Sequence, residues 1–314
     1  MAKRTNSKEN PLVLLSRLTE VETAARQSLE RHEPILIAGS VGCGKSSLAN
    51  KLAKEYCNVM RSIQISEHTD AKTLLGAYCC TEIPGQFTWR PGPLISSIEH
   101  GYGLVLEDID RGSPELQLLI TSVLRRLKNY SVNSNNNILL NPVSGNPTTH
   151  HPNFRLFMTR RFISCHGEDF RQESGNALAE FLDRYCFVIS LPNFSKDETN
   201  LLISHQYPTL VPFIDRIMNI YAFVVESFRN DNTVIQRTMN SSRLRGISVR
   251  DLLKFCSRIS ALTEKENFSE LLLLNAVDCF LSSMCSCIKQ LEIACRLAGE
   301  LNLSVENHVH VVRP

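Results

Sequence analysis

Residues 35–46 read Ile35-Leu36-Ile37-Ala38-Gly39-Ser40-Val41-Gly42-Cys43-Gly44-Lys45-Ser46. The first four are a short apolar run after Pro34, the signature of a strand buried on both faces. The next eight match G-x-x-x-x-G-K-[ST], and a helical pattern with Leu48, Leu52 and Ala53 on one face follows to about Tyr56. A glycine-rich turn between a buried strand and a helix points successive backbone N–H groups inward, at the positive end of the helix. Lys45 adds a compact positive charge, and the Ser46 hydroxyl is a hard oxygen ligand suited to Mg²⁺. Gly39, Ser40, Val41, Gly42, Cys43, Gly44, Lys45 and Ser46 are therefore the expected cradle of a triphosphate with Mg²⁺.

Working outward, further short strands are expected at Ser62–Ile65, Leu104–Leu106, Arg155–Thr159 and Phe187–Leu191. Helical patterns lie between most of them, and strands alternating with helices predict a parallel sheet covered on both faces. Residues 12–31 read as a helix, with Leu12, Leu15, Leu18, Val21, Ala25 and Leu29 at spacings of three and four. Residues 76–93 and 129–153 carry hairpin or loop chemistry, rich in Gly, Pro and Asn. After Pro192 the pattern turns wholly helical, with candidates at Glu198–Gln206, Pro212–Phe228 and Val249–Ile259, and again over 268–301.

A phosphate-bound Mg²⁺ needs a second anchor at the end of a neighbouring strand. Gly103-Leu104-Val105-Leu106-Glu107-Asp108-Ile109-Asp110 carries adjacent acids to that edge. Neighbouring strand residues face opposite ways, so Glu107 and Asp108 cannot share one role. A solvated acidic turn is the other reading of this string.

Composition narrows the classes. The 314 residues allow one large or two modest domains, and 43% hydrophobic content argues against a disordered chain. Lys plus Arg (34) against Asp plus Glu (32) leaves a formal +2, which is no electrostatic footprint of a nucleic-acid binder. The N-terminal MAKRTNSKEN has no apolar leader core, and no apolar window of spanning length is free of charges. Eleven cysteines occur without a C-x2-C pair. Cys256, Cys279, Cys285, Cys287 and Cys295 are expected to be small buried hydrophobes in a reducing compartment. A zinc site using His150, His151 or Cys165 is the alternative, and its spacing is wrong.

The phosphate loop, Leu104–Asp110 with Arg111, and the string from Asp70 through Gly76 into Gly85-Gln86-Phe87-Thr88-Trp89-Arg90-Pro91-Gly92-Pro93-Leu94 together resemble an AAA+ ATPase module. They are most similar to the midasin branch of the dynein-related AAA+ ATPases, which remodel the precursor of the large ribosomal subunit. Leu-Glu-Asp-Ile-Asp and Met-Thr-Arg-Arg at 158–161 are similar to that branch's first module. The resemblance covers about residues 12–262, and the 70–94 stretch is its specific part.

The resemblance implies a five-stranded α/β core followed by a helical lid, and that residues 39–46 bind ATP. The implied organisation is a helical leader (1–32), a nucleotide-binding domain (33–191), a lid (192–262) and a helical extension (263–314). Glu107 falls where the family has its Mg²⁺-coordinating Asp, so Ser46 and Glu107 are the implied metal ligands. Asp108 falls where the family has its water-polarising Glu, one methylene longer. Arg161 stands where the family places the sensor-1 Asn. Both departures put hydrolysis in question and leave binding untouched. Arg184, in Leu182-Asp183-Arg184-Tyr185, matches the arginine finger that serves a neighbouring module; a helix-terminal arginine balancing the dipole is the plainer reading. Arg250 matches sensor 2 in cis; a first-turn surface arginine is the alternative. Trp89 is either a partner-facing anchor or the pin that packs its hairpin.

The implied partners are neighbouring AAA+ modules and the pre-60S particle with its assembly factors, in the nucleus (nucleolus and nucleoplasm), with no membrane. A hydrolysis-deficient structural module and a stand-alone homo-hexameric chaperone are the other functional readings. The family strings several modules in one chain and this sequence holds one, so a fragment or short form is expected, with 263–314 opening a link to a second module.

Overall fold

The computed structural model describes residues 16–132, 138–140, 147–161, 177–235, 247–263, 267–282 and 287–301. The chain forms two compact units, one over Leu12–Asn193 and one over Phe194–Pro314.

The first unit opens with α1 (Ser16–Glu30), then β1 (Ile35–Gly39), α2 (Lys45–Tyr56) and β2 (Met60–Gln64). A short α3 (Ala71–Leu75) leads into the antiparallel hairpin β3 (Gly76–Cys80) and β4 (Phe87–Pro91). Next come α4 (Pro93–His100), β5 (Gly103–Glu107), a 3₁₀ turn (Ile109–Arg111) and α5 (Pro114–Val132). A second small hairpin, β6 (Ile138–Leu140) and β7 (Pro147–Thr149), precedes β8 (Arg155–Arg161), α6 (Ala177–Tyr185) and β9 (Phe187–Leu191).

Five strands make one parallel sheet in the order β2-β5-β8-β1-β9. Alternation along the strands supplies two buried faces. Leu36, Leu104, Leu106, Leu156 and Met158 join Leu94, Ile98, Leu116, Ile120 and Leu124 of α4 and α5 in one core. The intervening Ile35, Ile37, Val105 and Phe157 are equally buried, on the face covered by α1 and α2. Ala25 and Leu29 of α1 are fully buried, so the segment read as a leader belongs to this unit. The hairpin expected within 76–93 is present, and the one expected within 129–153 begins only after α5 has run to Val132.

The second unit comprises α7 (Lys196–Gln206), a 3₁₀ segment (Pro208–Phe213), α8 (Ile214–Ile235), α9 (Val249–Ile259), α10 (Phe268–Ala276), a π-turn (Val277–Leu281) and α11 (Cys287–Glu300). Ile203, Ile217, Val224, Leu252, Phe255, Leu272, Phe280 and Leu297 share one core. The helices beyond 263 contribute Leu272, Phe280 and Leu297 to the same core as α7, α8 and α9. Pro208–Phe228 is long and apolar enough to cross a membrane by length and composition, and it carries Asp215, Arg216 and Glu226, so it is not an uncharged window. Its Ile217, Ile220 and Val224 stripe fills this core.

Among the cysteines, Cys256 and Cys279 are buried and Cys295 half-buried, as free thiols. Cys285 and the side chain of Cys287 lie outside the described residues. Among the described residues no group of three His, Cys, Asp or Glu is arranged to hold a metal. Cys165 lies outside them.

Candidate functional site

Parallel register brings the strand ends to one rim. Gly39 pairs with Arg161 across β1 and β8, and Gln64 with Glu107 across β2 and β5. The chain leaves β1 into the loop 40–44, where Gly42 (φ 87°) and Gly44 (φ 97°) are left-handed. Only glycine takes those angles without a Cβ clash. Gly39 is held for a different reason: a Cβ there would lie 2.6 Å from the Leu191 carbonyl oxygen. No side chain caps α2, so the N–H groups of its first turn have no intrahelical acceptor and point at the loop's concavity. The Ser40 hydroxyl donates to Asn193 Oδ1, tying the loop to the end of the sheet unit.

Lys45 is 7% exposed, and its Nζ donates to the Gly39 carbonyl at 2.9 Å and the Ser40 carbonyl at 2.5 Å. Burial lowers its pKa; the nearby Cys43, Asp108 and Asp110 act the other way. The Ser46 hydroxyl donates to Glu107 Oε2 at 2.5 Å, and the Ser62 hydroxyl to Oε1 at 2.8 Å. The structure therefore brings the two expected metal ligands together, Ser46 being the residue next to Lys45. A hydroxyl and a carboxylate are hard oxygen donors of the kind that would hold Mg²⁺.

Asp108 is different in kind. The strand ends at Glu107, and Asp108 turns out of it into the left-handed region (φ 56°, ψ 52°). The simple strand alternation expected for the two acids therefore does not hold, yet their partners are distinct. The Asp108 N–H donates to Thr159 Oγ1 at 2.9 Å. Its carboxylate accepts from Gln64 Nε2 at 2.7 Å and from Arg161 Nε at 3.0 Å on Oδ1, and Arg161 Nη2 closes a second bond to Oδ2. Burial alone would raise the Asp108 pKa; the Arg161 hydrogen bonds and charge, with Gln64 and Lys45, outweigh it and hold it low. The same hydrogen bonding raises Arg161. The Arg161 main-chain N–H donates to Asp110 Oδ1 at 3.1 Å, and burial raises that carboxyl.

Arg184 stands elsewhere. It ends α6 just before β9, and Phe187 pairs with Ile35, the first residue of β1. It thus occupies the rim opposite the loop. It is exposed, and among the described residues its guanidinium has no partner. Arg250 is an exposed residue in the first turn of α9, in the second unit. Trp89 is half-buried with its ring edge-on to Tyr78 at 5.1 Å, a contact within its own hairpin.

Sequence reading missed Ser62, Gln64 and Thr159. Ser62 and Gln64 alternate along β2, a readable signal, but nothing local says that β2 lies beside β5.

The model of the AAA domain of the dynein-related subfamily matches residues 34–174, and that of the midasin AAA lid domain matches residues 198–304. A midasin of Dictyostelium discoideum is 27% identical over 208 residues, which is 66% of this chain and 3% of that protein. A midasin of Giardia intestinalis is 24% identical over 261 residues, 82% of this chain and 5% of that protein. An uncharacterised protein, YojN, of Bacillus subtilis is 29% identical over 92 residues, covering 29% of this chain and 30% of that one. The chain spans a few per cent of the length of the two midasins it matches. With a nucleotide-binding sheet followed by a lid of the same type, the chain belongs to the dynein-related AAA family, in its midasin branch.

Proposed function

We propose that this chain is an ATP-binding AAA+ module of midasin type that acts, in a ring with neighbouring modules, in remodelling precursors of the large ribosomal subunit in the nucleus. The observation that carries the nucleotide reading is the Ser46 hydroxyl on the Glu107 carboxylate, beside a buried Lys45 in a glycine loop. Lys45 exchanges its two loop carbonyls for phosphate oxygens. Ser46 and Glu107 hold Mg²⁺, which when bound supplies charge neutralisation and a template for the terminal phosphates. Arg184, on the far rim, serves the nucleotide of another module. Arg250 is the residue to which the family resemblance assigns the sensor-2 role. The ribosomal and nuclear part rests on family membership. Its test is co-sedimentation of a tagged chain with large-subunit precursors.

The bidentate Arg161–Asp108 pair favours a second reading, in which nucleotide is bound with little turnover. The nucleotide reading common to both is tested by Lys45→Ala. Binding of a fluorescent ATP analogue should fall by at least a hundredfold with an unchanged circular-dichroism spectrum; retained binding refutes the loop assignment.

A further inference from the structure

The carboxylate placed to polarise water, Asp108, is already fully engaged by the cation placed to meet the terminal phosphate, Arg161. Two parallel N–H···O bonds join them, the geometry in which guanidinium holds carboxylate best. The Asp108 side chain is 13% exposed and that of Arg161 33%, so water screens the pair weakly. Both groups lie within electrostatic reach of the Lys45 ammonium. The Arg161 backbone is held separately, by its N–H to Asp110, so its side chain can turn without the strand moving. Asp108 keeps two neutral tethers, the Gln64 amide and Thr159 Oγ1, when the guanidinium leaves. A terminal phosphate offers the same bidentate acceptor geometry as a carboxylate, with more charge.

Resting on the nucleotide reading above, we propose that Arg161 is a lock on Asp108, closed by the bidentate ion pair in the nucleotide-free module and opened when the terminal phosphate of a nucleoside triphosphate takes the guanidinium. A diphosphate, lacking that group, leaves the lock shut. The device distinguishes triphosphate from diphosphate, and breaking the pair consumes part of the triphosphate's own affinity.

Asp108→Asn keeps the side chain's shape and the Arg161 cation but removes the competing charge. ATP affinity, measured by calorimetry with Mg²⁺, should rise about tenfold while ADP affinity stays within twofold. In Asp108→Asn/Arg161→Gln the gain should vanish. An ATP-to-ADP affinity ratio unchanged by Asp108→Asn, or both affinities shifting together, overturns the lock and assigns the pair to structure. A measurement on the unmutated chain guards against misfolded variants. The Arg161 Nε–H resonance should shift with adenylyl-imidodiphosphate and stay put with ADP; the same response to both overturns the proposal. A wild-type chain that binds neither nucleotide refutes the loop assignment and the lock with it. Binding of both with no Asp108 effect refutes the lock alone.

Discussion

His150 lies at the rim opposite the phosphate loop, 6% exposed, with its ring edge-on to Phe154 at 5.7 Å. His32, Pro34, Leu127 and Leu156 line a small cleft with it. Burial, followed by the charges of His32, Arg155 and His151, pulls its pKa from 6.5 to about 4. The sign of the consequence follows from linkage. Below pH 6.5 the unfolded chain takes up a proton that the folded chain refuses, so stability is full above 6.5 and declines as pH falls towards about 4. His32, also lowered by burial, adds a slope of the same sign. The slope contributed by one such group is at most about 1.4 kcal/mol per pH unit. His150→Leu should flatten this part of the stability curve in denaturant titrations from pH 7 to 4.5. An unchanged slope would remove His150 as its source. Sequence alone offered His150 only as a poor zinc ligand, because a lone histidine's environment is set by what folds over it.

At the scale of elements, local chemistry decided most. The helix α9 starts at a capping box: the Ser248 N–H and hydroxyl both donate to Asp251 Oδ2, at 3.0 and 2.8 Å. Ser195 and Glu198 form the same device on α7. Ser248→Ala should lower stability by about 1 kcal/mol, read by urea unfolding, because it leaves first-turn amides uncapped. Loss of much less than a few tenths of a kcal/mol would show the cap to be idle. The sequence placed α2, α9 and β9 at their observed limits, since each is bounded by a glycine turn, a cap or a proline. Strand β2 is displaced by two residues from its expected start, because an edge strand with mixed burial carries a weak pattern. The π-turn at Val277–Leu281, inside a mostly apolar run that includes Asp278, has no local signature.

For the whole molecule, the parallel sheet sets which functional groups can cooperate. The two rims of β1 stand roughly 13 Å apart, from the rise per residue of a strand. Arg184 therefore cannot reach the loop of its own chain by side-chain motion. ATP at a hundredfold excess over Kd should add about 2.7 kcal/mol to folding stability. Arg184→Ala should leave that increment and the nucleotide affinity of the isolated chain unchanged. A tenfold loss of affinity in that variant would place Arg184 in its own module's site.

The sequence by itself determined that a phosphate nest exists, and that acids and a cation stand at the ends of apolar strands. These are local facts: glycine's backbone freedom, alternation, and where apolar runs stop. Tertiary structure alone decided how they combine. Strand order β2-β5-β8-β1-β9 is a set of long-range hydrogen bonds, and it places Gln64 on Asp108, Ser62 on Glu107 and Arg161 across from Gly39. Whether Asp108 is a free base or half of an ion pair depends on groups more than forty positions away, and no local pattern encodes that distance.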